Sequence, residues 1–233
     1  MMRLAGALAV AAILGAGSLA AAPPKKASAA AQRDWASTVV VTPEGGYRMG
    51  NPNAAVKVVE YGSLTCPHCA AFSNSAKAPL VARVRTGKVS FEFRNFVLNG
   101  VDASASLLAR CAAPAGFFPL LERVYATQDQ WVAKFSGLSQ AEKQKISAMP
   151  EAQRLAGVAD AAGLTQLATQ NGVPAAKAKA CLTDPAGFAR LGTMREDANK
   201  LGVQGTPTFF VNGAKVHAHD WPELETEIRK AGG

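Results

Sequence analysis

Two cysteines three positions apart, Cys66 and Cys69, stand where a buried strand gives way to a helix. That placement constrains the chain more than any other feature. The run Ala55 to Tyr61 is β-branched and apolar, follows a turn at Gly50 to Asn53, and predicts a buried strand. Gly62-Ser63 breaks it. From Cys66 onward, Phe72, Ala76, Leu80 and Val84 recur at helical spacing; Pro79 is expected to kink this helix and Gly87 to stop it. Val89 to Phe96 alternates as a second strand. Two strands joined by a helical crossover form a βαβ unit and run parallel.

The helix start has chemical consequences. Unsatisfied N–H groups there stabilise a thiolate, so Cys66 is expected to ionise easily. Cys69 lies one turn on and reaches back to close a small ring. A stabilised thiolate is a good leaving group and makes the disulfide form oxidising. Pro67 and His68 lie between, and the His68 imidazole can donate to the thiolate or carry charge beside it. Other readings of Cys66-Pro67-His68-Cys69 fit less well. Haem attachment needs histidine at position 70, which is Ala70. A zinc site needs a second ligand pair at close spacing. A purely structural bridge is a poor use of so tight a loop.

Further along, the character changes. From about Val101 to Lys200, Ala, Leu, Gln and Lys dominate without a β-rich run. Pro114, Pro150, Pro174 and Pro185 punctuate what reads as several short helices. Strand patterning resumes at Thr206 to Val211. Asn212-Gly213 is a strong hairpin signal, with Lys215 to His217 as the partner strand. Asp220 and Glu223 then form a capping box for a last helix whose Leu224 and Ile228 face inward. Val39 to Val41 predicts one further short strand, and Pro43 to Gly46 a turn. Trp131 and Trp221 read as packing anchors.

The N-terminus has a single charge, Arg3, an apolar run from Leu4 to Leu14, and small residues through Ala20. This predicts a secretory signal peptide over residues 1–20, shorter than the ~20 apolar residues of a spanning helix. Residues 21–35 read as a flexible tether. The formal net charge of the chain is +8, or +7 without residues 1–20. The basic residues are dispersed with no stripe of interleaved aromatics, so no nucleic-acid partner is expected. Four cysteines in an exported chain suit an oxidising compartment. His217 and His219 have no third clustered ligand, so no metal is expected, and no other cofactor.

Val58 to Cys69 (Val-Val-Glu-Tyr-Gly-Ser-Leu-Thr-Cys-Pro-His-Cys) resembles the active-site strand and helix of the DsbA family. Gly202 to Gly213 resembles that family's cis-proline loop, and Gly50-Asn51-Pro52 its approach to the core. The match runs from about Gly50 to the C-terminus. It implies an α/β, thioredoxin-like fold with a helical insertion between the βαβ half and the C-terminal hairpin-helix half. In boundaries, residues 36–100 and 195–233 form the thioredoxin-like domain and 101–194 the insertion. It implies a periplasmic enzyme that oxidises thiols of exported proteins through a mixed disulfide at Cys66, with a membrane quinone-coupled oxidase to restore it.

The resemblance also assigns roles. Only about 5% of X-Pro bonds are cis, and composition alone favours trans at Thr206-Pro207. The family likeness reverses that, placing Thr206 and Pro207 beside Cys66, where the Thr206 backbone pairs with an extended substrate. The family's oxidase prototype has Val at the Thr206 position, and Thr there is similar to isomerase-type relatives. Glu60 shares a strand face with Val56 and Val58, a costly place for an acid unless it works or is paired. The matching family acid lies beneath the buried cysteine and moves its proton. The alternative is a solvated residue paired to Lys57 or Arg94. Cys111 and Cys181 lack CxxC neighbours, which favours a structural disulfide, as some relatives carry, over a second redox pair or two buried thiols. An isomerase of the dimeric kind needs an N-terminal dimerisation domain, and only about thirty residues separate the expected cleavage site from the core turn. A monomeric oxidase is therefore expected. An isomerase or reductase, or a chaperone-like peptide-binding module, are the alternatives.

Overall fold

The computed structural model describes residues 33–233. The expected signal peptide, and the tether up to residue 32, lie outside them. The end of the expected tether is already ordered: Trp35–Ser37 forms a 3-10 turn capped by the Asp34 carboxylate.

Six strands form one sheet: β1 (Val39–Val41), β2 (Tyr47–Gly50), β3 (Val56–Gly62), β4 (Val89–Asn95), β5 (Thr208–Val211) and β6 (Ala214–Val216). Their spatial order is β1-β2-β4-β3-β5-β6. Among the described residues only β3 and β4 are parallel, with Val58 opposite Phe91 and Glu60 opposite Phe93. They are joined by α1 (Pro67–Arg85), the crossover that a parallel pair requires. Pro79 sits inside α1 without ending it, and Gly87 follows at φ 78°, a conformation open chiefly to glycine.

The helical stretch resolves into α2 (Gly100–Cys111), α3 (Pro114–Ala126), α4 (Gln128–Ser136), α5 (Gln140–Ser147), α6 (Glu151–Ala162), α7 (Leu164–Gln170), α8 (Ala175–Leu182) and α9 (Pro185–Lys200). The expected boundary between residues 194 and 195 falls within α9, a single unbroken helix. Helix α10 (Trp221–Lys230) closes the chain, with the Asp220 carboxylate capping Glu223 N–H.

Two differences from the sequence reading have simple causes. Strand β2, between the two expected turns, was not anticipated. It is four residues long, interrupted by Arg48 and ended by Gly50, too short for alternation to register. The hairpin strands are shorter than expected: β5 begins at Thr208, after Pro207, which has no N–H to give a ladder, and β6 stops before His217.

The sheet has two differently covered faces. Phe72, Ala76, Leu80 and Val84 of α1 are buried, in one core with Val56, Val58, Phe93 and Phe209. Helix α3 adds Phe117 and Phe118 to the same core; Phe117 stacks on Tyr47 at 3.7 Å between ring centroids. On the opposite face, Tyr61, Phe96 and Phe210 pack with Ala198 of α9 and Val203. Glu60 belongs to the first face and Lys57, Glu92 and Arg94 to the second.

A disulfide joins Cys111, at the end of α2, to Cys181 in α8, across a sequence separation of 70. Cross-linking so long a loop restricts the unfolded chain by about 4 kcal/mol in the chain-entropy account. Replacing both cysteines by Ala is expected to lower the melting temperature by roughly 10 °C. The Cys66 thiolate titration should be unchanged, since neither residue touches it. Thermal unfolding with an absorbance titration checks both.

Candidate active site

The Cys66 residue occupies the N-cap of α1, in extended backbone geometry, with Pro67 as the first helical residue. Proline suits that position because its missing N–H is one the helix leaves unpaired anyway. The free N–H groups of the first turn then face the Cys66 sulfur. Hydrogen bonds from the Cys69 thiol, the Thr206 hydroxyl and the backbone N–H groups of Cys69 and His68 outweigh partial burial and bring the Cys66 thiol down to about 5. The Thr206 carbonyl oxygen lies 3.2 Å from the same sulfur, and the Thr206-Pro207 bond is cis. Thus Thr206 presents its hydroxyl to the thiolate and its backbone to the mouth of the site.

His68 gives its backbone N–H to the Cys66 sulfur. Its side chain is exposed and makes no hydrogen bond among the described residues. Pro67 is exposed beside it.

Cys69 is fully buried, and burial, reinforced by its hydrogen bond to Cys66 and by the charge of Glu60, holds its thiol well above the ordinary range. Glu60 lies beneath. Burial and the nearby Cys66 thiolate push its carboxyl up to about 8, and its Oε1 has no hydrogen-bond partner among the described residues. The alternative pairing does not occur: Arg94 Nε donates to Glu92 at 2.7 Å on the other face of the sheet. A cavity of about 40 Å³ adjoins Glu60 and is bordered by Ser73, Lys77, Glu122 and Tyr125. That volume admits water.

A second, open groove of about 700 Å³ begins at Cys66 and Thr206. Leu98, Val101, Val132, Phe135 and Val158 give it apolar walls, drawn from the loop after β4 and from α2, α4 and α6.

Sequence reasoning missed residues that hold the turn before Cys66, two of them from α2 and α3. The buried Asp102 carboxylate accepts from the Ser63 hydroxyl (2.6 Å), the Leu64 N–H (2.9 Å) and the Leu98 N–H (2.9 Å). Tyr125 O–H donates to the Ser63 carbonyl at 3.2 Å. Asn99 caps α2, its side chain accepting from the Asp102 N–H. Nothing local pointed either residue at the turn. His217 and His219, by contrast, are exposed beyond β6, and the described residues contain no metal-holding cluster.

A parallel β3–α1–β4 unit, a reduced cysteine pair at the helix start and a cis proline facing it define the arrangement. The family model described as thioredoxin matches residues 42–230. The chain belongs to the thioredoxin family. Its helix-bearing form of the thioredoxin fold is that of DsbA-like structures. A protein-disulfide isomerase structure from Novosphingobium aromaticivorans superposes with TM-score 0.73 at 29% identity, covering 80% of this chain and 97% of that one. Wolbachia pipientis alpha-DsbA1 shares the fold at TM-score 0.63 and 21% identity, covering 82% and 90%. A Rickettsia felis protein, provisionally named protein-disulfide oxidoreductase, is 28% identical over 186 residues. That alignment covers 78% of this chain and 59% of the relative, so the chain spans about six-tenths of the relative's length.

Proposed function

We propose that this chain is a thiol:disulfide oxidoreductase that forms disulfides in exported proteins. The observation that carries the reading is the placement of the pair: Cys66 at the N-cap of α1 against the cis Thr206-Pro207 bond, and Cys69 fully buried, which lowers the first thiol to about 5 and raises the second well above its ordinary value. Starting from the Cys66–Cys69 disulfide, a client thiolate attacks the Cys66 sulfur, which adjoins the groove. The Cys66–Cys69 bond breaks and Cys69 departs as a thiolate, taking its proton from Glu60. A second client thiolate attacks the client sulfur of the mixed disulfide and releases Cys66 as a stabilised thiolate. Two electrons pass from client to enzyme, and the client gains a disulfide. Because the released thiolate is so favourable, the step runs toward client oxidation.

Thr206 offers backbone to an extended client, and the apolar groove takes the residues beside the client's cysteine. Glu60 recovers its proton through the adjoining cavity. The Cys111–Cys181 bridge fits an oxidising compartment, and with the expected signal peptide it supports the periplasm. A membrane quinone-coupled oxidase would restore the pair, on the strength of the DsbA likeness; the enzyme works as a monomer.

One observation favours a second reading. Thr206 is the residue of isomerase-type relatives, and the Novosphingobium relative bears the name isomerase. The state of the pair in its own compartment decides between them. Acid quench and thiol labelling should find Cys66 and Cys69 mostly oxidised; a mostly reduced pair overturns the oxidase reading.

A further inference from the structure

The turn from Ser63 to Cys66 is gripped by side chains from the helices inserted between β4 and β5. Asp102 and Tyr125 hold its first two residues. One side chain reaches further. Gln128, the first residue of α4, is buried, and its Nε2 donates to the Leu64 carbonyl at 2.7 Å and to the Cys66 carbonyl at 3.0 Å. Both partners are acceptors, so the amide nitrogen, and not its oxygen, must face the turn. Leu64 is itself fully buried, and among the described residues Gln128 is the donor to its carbonyl. The Cys66 carbonyl also takes the Ala70 N–H at 3.2 Å, the first rung of α1. Gln128 supplies that oxygen's second hydrogen bond.

We propose that Gln128 is a positioning residue of the redox site, fixing the peptide planes on either side of Thr65 and Cys66 so that the sulfur stays over the N-terminus of α1 and against Thr206. A glutamine serving only to fill α4's core face has no need to place both amide hydrogens on the active-site turn. Its neighbours Tyr125 and Asp102 already tether Ser63 and the Leu64 N–H, so the turn would stay attached without it. What Gln128 adds beyond them is a second donor on the carbonyl of the cysteine itself. Such a donor draws electron density from the residue that must carry negative charge, and it keeps the Thr206 hydroxyl and the His68 N–H within reach of the sulfur. The effect passes through position and polarity, since Gln128 contacts no reacting atom.

This rests on the redox reading of Cys66, and the test separates the two. Gln128→Met keeps length and apolar bulk but removes both donors. Gln128→Glu keeps shape and turns oxygen toward oxygen. In Gln128→Met the titration midpoint of the Cys66 thiolate, followed by absorbance, should rise by on the order of one pH unit. The equilibrium of the pair with glutathione should shift about tenfold against reduction, or about 30 mV. Gln128→Glu should move both further in the same direction. Unchanged midpoints in folded variants overturn the proposal. Loss of the folded state in both variants also overturns it, because Gln128 would then serve the core alone. Neither readout uses a client. A wild-type protein that fails to oxidise a reduced peptide, with Gln128→Met still shifted, sinks the functional reading and leaves the positioning role standing.

Discussion

Cys66→Ser is expected to lose client oxidation by at least about a thousandfold while keeping its fold. The two parts of that outcome come from one position. A serine hydroxyl neither ionises near neutral pH nor forms a disulfide, so no mixed disulfide can arise. Yet Cys66 is the N-cap of α1, and a serine oxygen there can accept from the same first-turn N–H groups that face the sulfur. Serine is among the preferred residues there, worth about 1 kcal/mol over residues that cannot cap. The inactive variant should therefore unfold no earlier than the wild type, so inactivity cannot be laid to misfolding. Cys69→Ser should behave differently. Offered a client that already holds a disulfide, its Cys66 thiolate attacks one client sulfur and displaces the other as a thiolate; with no Cys69 to attack Cys66 and release the reduced client, the mixed disulfide should accumulate. Non-reducing gels and intact mass, read on both variants against a peptide with two cysteines, check this. Continued oxidation by Cys66→Ser would take the chemistry away from Cys66, whereas lost exchange with a function that survives as peptide binding alone would favour the chaperone-like reading.

How much of this was legible in the sequence depends on how far apart the partners lie. Cys66, Pro67 and Cys69 declare themselves because helix, strand and motif are contiguous. Glu60 was visible for a similar reason: strand alternation put an acid among valines, and the face it shares with Val56 and Val58 is the buried one. The meeting of Thr206 with Cys66 spans 140 residues, and only family likeness suggested it. At His68, residue type drew attention to the side chain, whereas the backbone N–H that faces the Cys66 sulfur belongs to the helix start and carries no residue signature. Asp102, Tyr125 and Gln128 were illegible in their roles. Helical spacing says which residues turn inward but not what they meet, and their partners lie 38 to 64 residues away.

Glu60→Leu is expected to stabilise the reduced protein and slow its chemistry, with both effects depending on pH. The carboxyl is buried, has an unpartnered oxygen and ionises at about 8 when folded, against about 4.5 when exposed. Between those values the folded chain holds a proton that the unfolded chain has released, so stability falls as pH rises, by about 1.4 kcal/mol per unit. Above about 8 both states are ionised and the loss levels off. At pH 7 the wild type therefore carries a burden of about 3 kcal/mol that leucine removes. Denaturant unfolding of the reduced proteins should show the variant ahead by that amount near neutrality, the gap closing toward pH 4. The same substitution takes away the proton source for Cys69, whose thiolate is disfavoured by its burial. Formation of the mixed disulfide from the oxidised enzyme should slow by roughly 10²-fold, and any inflection near pH 8 in its rate should vanish. A stability gap that stays constant with pH would show that Glu60 is ionised and solvated in the folded protein. An unchanged rate would take the proton path away from it, and Cys69 would then exchange its proton without help from the strand beneath.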